Sequence, residues 1–215
     1  MFLVDDGIII STKRLGSSAR ILRCFLRNHG LKSAIIYSKH PLALGSFVVA
    51  EWRGRLVEQL GTYRIEYQAL NPGPSISLMK KESLILNTTL NTIHFCLVDQ
   101  EKNEEIWQEL YNFIVMLGTD NDILSKLYYY LKIELKILKN SGMIGYGNSI
   151  SIDDIEKLYS KKNEQSEQNS RYNCEIIVKF NKILNYVMDN MEKTLLYNFP
   201  GIMPARKIIK SMLCG

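Results

Sequence analysis

Ten lysines and arginines fall between residues 11 and 64: Lys13, Arg14, Arg20, Arg23, Arg27, Lys32, Lys39, Arg53, Arg55 and Arg64. Two acids, Glu51 and Glu58, interrupt them, so this segment carries a charge of +8 against +5 for the whole chain. Cationic side chains at this density neutralise backbone phosphates, and the released counterions drive association with nucleic acid. A solvated basic face without a partner is the alternative reading. Aromatic residues interleave with the cations. Trp52 stands beside Arg53 and Arg55, Tyr63 beside Arg64, and Tyr67 follows. Such rings can offer π-faces to unpaired bases. For Trp52 a core position is favoured, because Val48, Ala50 and Trp52 share one parity of a strand.

Other reactive residues are dispersed. Gly145-Tyr146-Gly147 lacks the third glycine of a nucleotide-binding loop. His29, His40 and His94 have no neighbouring Cys, Ser or carboxylate at triad or ligand spacing, and His94 reads as a packed core histidine. Asp5 and Asp6 are adjacent in a strand and so point to opposite faces. Asp153-Asp154 follows a helix start at Ser151-Ile152 and reads as N-terminal helix charge. Cys24, Cys96, Cys174 and Cys214 form no close pair of the kind that aims two thiolates at one zinc ion. Cys24 and Cys96 lie in apolar runs and read as buried small hydrophobes. The expectation is no catalysis, no metal and no other cofactor.

Five short apolar runs precede residue 71: Gly7–Thr12, Arg20–Leu26, Leu31–Tyr37, Ser46–Arg53 and Thr62–Leu70. The turn signals Asn28-His29-Gly30, Lys39-His40-Pro41 and Gly61 separate several of them. Five such strands suit a small closed barrel of the OB type, with an SH3-like barrel as the alternative. In an OB barrel one sheet face and its connecting loops form the groove. That puts Lys13, Arg14, Arg20, Arg23, Lys39, Arg53 and Arg55 forward as the binding residues. Asn71-Pro72-Gly73-Pro74 is the strongest break, so the expected organisation is α+β in two domains, residues 1–74 and 75–215.

Beyond the break the apolar period becomes helical. Helices are predicted over Lys81–Leu97, Asn103–Leu117, Asp122–Asn140, Cys174–Leu196 and Ala205–Leu213. On the third, Leu124, Leu127, Tyr128, Leu131, Leu135 and Leu138 form the buried stripe. Lys132, Lys136 and Lys139 share a flank beside it and suggest a site for an acidic peptide. A plain solvated lysine face is the competing reading. The polar segment Lys161–Ser170 reads as a mobile loop. No apolar run approaches the roughly 18 residues of a membrane span. The start, MFLVDDGIII, has acids where a signal peptide would need basic residues. The expected location is therefore the cytoplasm, away from membranes.

The segments DDGIIISTKRLGSSARILRCFLRNHGL and EWRGRLVEQLGTYRIE resemble the N-terminal part of RecO, a bacterial recombination-mediator family. LYYYLKIELKILKNSGM and FPGIMPARKIIKSML resemble two of its later helices. The resemblance implies an N-terminal OB-fold, a C-terminal helical domain and no active site. It also implies binding to single- and double-stranded DNA, annealing of complementary strands and work with RecR. Contact with the tail of single-strand-binding protein and help in loading RecA follow as well. Two departures stand out. IIYSKHPLALGSF is shorter than the basic, Gly-rich segment of many relatives. The four zinc-binding cysteines of many relatives are missing, which again implies no zinc. The competitor from another class is a protein-only adaptor that docks repair partners without gripping DNA.

Overall fold

The computed structural model describes residues 1–38, 42–56, 59–119, 122–140, 152–164, 178–191 and 203–212. The chain forms two compact units, Met1–Thr119 and Asp120–Gly215.

The first unit is built on a closed five-stranded barrel: β1 (Phe2–Leu15), β2 (Ala19–Leu26), β3 (Gly30–Tyr37), β4 (Phe47–Arg53) and β5 (Gly61–Tyr67). Around the barrel the order is β1-β2-β3-β5-β4, with the β3–β5 pair parallel and the others antiparallel. This is an OB-fold barrel, and a helical region follows it. β1 makes closure possible. Its first half, Phe2–Ile8, pairs with β4, and its second half, Gly7–Leu15, pairs with β2. The two ladders overlap at Gly7 and Ile8, and just beyond the end of the β4 ladder a bulge at Ile10, inside the β2 ladder, shifts the register between Ile9 and Ser11. An extra residue there bends the strand and strengthens its twist. Gly16 closes the β1–β2 hairpin at φ +76°, a conformation that favours glycine.

Alternate residues fill the barrel: Ile9, Leu22, Cys24, Leu26, Ala34, Ile36, Val48, Ala50, Trp52 and Tyr63. The outer faces would ordinarily be polar. One outer row is not: Phe47, Ile8, Phe25 and Leu31 stand side by side across four strands and are buried. Each such side chain contributes about 1.5–3 kcal/mol on burial. This explains the continuous apolar runs of these strands, which are covered on both sides. The cover is α2 (Lys80–Cys96) and α3 (Glu104–Leu117), reached after a single turn, α1 (Gly73–Ile76). Trp107 of α3 donates its indole N–H to the Phe25 carbonyl at 3.0 Å, and Tyr111 stacks on Phe47 at 4.5 Å. Asn103 caps α3 by accepting the Ile106 N–H at 3.2 Å. The sequence break at Asn71–Pro74 thus ends the barrel, while the compact unit that contains it runs on to Thr119.

The second unit holds α4 (Ile123–Asn140), α5 (Ile152–Glu164), α6 (178–191) and α7 (Met203–Ser211). Asp122 caps α4, accepting the Ser125 N–H at 3.0 Å and the Ser125 hydroxyl at 2.9 Å. Burial on α4 is wider than the stripe in its sequence. Tyr130, Ile133, Glu134 and Ile137 are also buried, as expected of a central helix, while Leu124 is half-buried. Lys161–Glu164, read from sequence as the start of a loop, belongs to α5 because the helix continues to its polar end. The rest of that segment lies outside the described residues. Glu134 and Arg206 of α7 are fully buried and ion-paired, and Tyr130 donates its hydroxyl to the same carboxylate at 2.6 Å.

Removing one partner of a buried pair strands the other charge. Arg206→Ala should therefore destabilise the second unit by about 3–5 kcal/mol, and Arg206→Met with Glu134→Leu should recover most of the loss. Urea titrations of the three proteins measure this.

Candidate nucleic-acid interface

The barrel interior uses two of the three aromatic residues that could have stacked on bases. Trp52 is fully buried, and the ammonium of Lys32 sits 3.9 Å from the centre of its ring. Tyr63 is buried and donates its hydroxyl to the Lys32 carbonyl at 3.1 Å. Burial raises the Tyr63 hydroxyl well above its ordinary pKa, with Cys24 and Asp5 adding to the effect. Burial likewise raises the Cys24 thiol. It lowers the Lys32 ammonium, and Asp99 opposes that shift. Asp5 also faces inward. It accepts the Asn28 N–H at 2.8 Å and the Asn28 side-chain amide at 2.9 Å, with His29 Nδ1 at 2.7 Å. Asp6 faces outward and accepts from Gln68 at 2.9 Å, so the two acids do take opposite faces.

Outside, the helices leave much of the barrel wall open. The pairings set Lys13, Ile21, Ile35, Thr62, Arg53 and Phe2 in one outward row that crosses every strand. Lys13 and Arg53 are exposed. The next outward row, at the β1–β2 hairpin end, is Leu15, Ala19 and Tyr37. Tyr37 is 72% exposed, and Leu15 is also open to solvent. Sequence reasoning passed over Tyr37. Its signal was parity, because Ala34 and Ile36 are core and Tyr37 must then face out.

Arg14 and Arg20 are directly paired at the end of the hairpin. They share the inward parity of Leu22 but lie beyond the packed layers, Arg14 exposed and Arg20 half-buried. Arg53 and Arg55 line an open depression of about 650 Å³ with Met1, Phe2 and Gly54. The Arg53 guanidinium lies 5.3 Å from the Phe2 ring and 3.7 Å from Glu51. Arg23 is committed elsewhere. It forms an ion pair with Asp99 in the loop after α2 and is largely covered. Lys39 lies outside the described residues, and Tyr67, at the far end of β5, is exposed.

The α4 stripe is core, so it offers no groove of its own. Lys132 is paired with Glu156 at 3.0 Å, Lys136 is half-buried and Lys139 is exposed. His94, expected in the core, is only half-buried, with Nδ1 3.5 Å from the Ser11 hydroxyl. Burial and Arg23 lower its pKa, with Asp99 opposing. The Asp99 carboxylate is held by Arg23. Cys96 is half-buried, less than its apolar run implied, because it ends α2. Among the described residues no group of three or more His, Cys, Asp or Glu could hold a metal ion, and no helix is long and apolar enough to cross a membrane. Cys174 and Cys214 lie outside the described residues.

No family model matches the chain. It is similar to the DNA repair protein RecO of Rhodopseudomonas palustris strain TIE-1, at 28% identity over 154 residues, 68% of this chain and 58% of that protein. The RecO of Ehrlichia chaffeensis is 29% identical over 157 residues, 68% of this chain and 59% of the relative. That of Bradyrhizobium diazoefficiens is 29% identical over 144 residues, 64% and 56%. These matches support a RecO family assignment. The alignments span somewhat more than half the length of these RecO proteins. A barrel followed by helices agrees with what the RecO resemblance implied.

Lys32 supplies a test of the barrel interior. Its pKa in the folded protein is below the ordinary 10.5, so the unfolded chain binds more protons in that range. Stability should therefore rise with pH from the folded pKa towards 10.5. Lys32→Met lacks this dependence. The difference between the urea midpoints of Lys32→Met and wild type should shift in favour of wild type from neutral pH to pH 10.5. The comparison cancels the opposite contribution of Tyr63.

Proposed function

We propose that this chain is a non-enzymatic DNA-repair mediator whose barrel binds nucleic acid through its open outer wall and the β1–β2 and β4–β5 loop ends. The single observation that carries the reading is the outward row joining Lys13 to Arg53, flanked by Arg14, Arg20 and Arg55. On this reading residues 1–74 are the binding domain and residues 75–215 the helical domain. Binding of both single- and double-stranded DNA, strand annealing, partnership with RecR and help in loading RecA extend the same proposal. They rest on the resemblance to RecO. So does docking of the acidic tail of single-strand-binding protein on the helical domain. For that peptide the proposed residues are Lys132, Lys136 and Lys139, of which Lys132 pairs with Glu156.

If Arg53 and Arg55 touch phosphates, Arg53→Glu/Arg55→Glu should weaken oligonucleotide binding and flatten its salt dependence. Each lost contact should reduce the slope of log K against log[salt] by about 0.7 to 0.9. Fluorescence anisotropy across a salt series measures both. A protein-only adaptor would bind no plain oligonucleotide at any salt concentration.

Lys136→Glu/Lys139→Glu in the full chain should weaken an acidic tail peptide by about tenfold and leave oligonucleotide binding intact. Calorimetric titration of the peptide and anisotropy of the oligonucleotide separate the two effects.

A further inference from the structure

We infer that the outer face of β1–β2–β3 holds a cleft for one unpaired base, with Tyr37 as its stacking wall and Ala19 as its floor. The inference rests on the nucleic-acid reading above and narrows it to a strand whose bases are free. Leu15, Ala19 and Tyr37 are directly opposite one another on three adjacent strands. Neighbouring strands lie about 4.8 Å apart, so Leu15 and Tyr37 rise from backbones roughly 10 Å apart. Between them stands only the methyl group of Ala19. A large residue there would fill the space, whereas alanine leaves room for a flat ring against Tyr37.

The surroundings fit a nucleotide. Tyr37 is 72% exposed although it belongs to a strand whose core neighbours Ala34 and Ile36 are buried. An exposed tyrosine of this kind has no packing role to explain it. The next outward row adds Lys13 beside the half-buried Ile21 and Ile35, giving an apolar platform with a cation at its rim. Arg14 and Arg20 stand at the same hairpin end but on its other face, so Lys13 is the cation beside the cleft. Ring stacking with cations alongside is the general recipe for gripping single strands without reading sequence. A duplex keeps its base faces stacked on one another and cannot fill such a cleft.

The test uses the full chain with a labelled oligo(dT) and a blunt-ended duplex of two separate strands. Tyr37→Ala should weaken oligo(dT) about 5- to 160-fold, the range for loss of one stacked base. Tyr37→Phe, which keeps the ring, should bind like wild type. Ala19→Leu, which fills the floor, should reproduce the loss. Neither loss should change the salt slope, because no charge is removed, and duplex affinity should stay at the wild-type value. Wild-type oligo(dT) affinity in both Tyr37→Ala and Ala19→Leu overturns the cleft, as does an equal loss on the duplex. If Arg53→Glu/Arg55→Glu weakens binding while both of these variants bind normally, only the cleft fails. If the wild type binds no oligonucleotide, the broader reading fails with it.

Discussion

β1 is bonded to β4 along its first half and to β2 along its second, the two ladders overlapping at Gly7 and Ile8, with one bulged residue, Ile10, just beyond the overlap. That arrangement closes the barrel and leaves none of its five strands with an open edge. A closed barrel has an inside, which accepts one side chain in two from each strand. It also fixes which residues face outward, because a slip of one residue would exchange the faces. The interior, the helix-covered row and the open wall all follow from this one strand.

The interior is not purely apolar. Lys32 lies over the buried Trp52 ring, and Asp5 gathers Asn28 and His29. A buried ammonium is costly unless something replaces its water, and here an aromatic face does part of that work. The result is a barrel end organised by Trp52, Tyr63 and Lys32, three residues that a reader of composition alone would assign to a ligand. The cations left for a ligand are those at strand ends and on the outer wall. Helices α2 and α3 cover the row that begins at Phe47, so the open area is displaced towards the hairpin and Arg53. Function, on this account, occupies the part of the wall that packing does not use.

Much of this was legible in the sequence, where local pattern suffices. Each of the five predicted strands exists, and the alternation at Val48, Ala50 and Trp52 identified the tryptophan as core. The break before β5 and the start of α4 at Asp122 were readable because they are made by neighbours in the chain. The misses share a cause. Tyr63 looked available because its parity was not traced through Ile65, and Tyr37 was missed for the same reason. The first predicted run began at Gly7, whereas β1 begins at Phe2, because Phe2–Asp6 pair with β4 between 43 and 51 residues away. The ion pair of Arg23 with Asp99 joins residues 76 apart, and no spacing rule reveals it. Docking of Trp107 on Phe25 is equally non-local, and it extends the barrel's compact unit to Thr119.

Backbone hydrogen exchange with and without a single-stranded oligonucleotide tests the central claim, that the open barrel wall is where nucleic acid binds. The account predicts added protection over residues 11–21, 35–37 and 53–62, with little change across α4 to α7. Protection concentrated in those helices, or none in the barrel under conditions where binding is saturated, would contradict it.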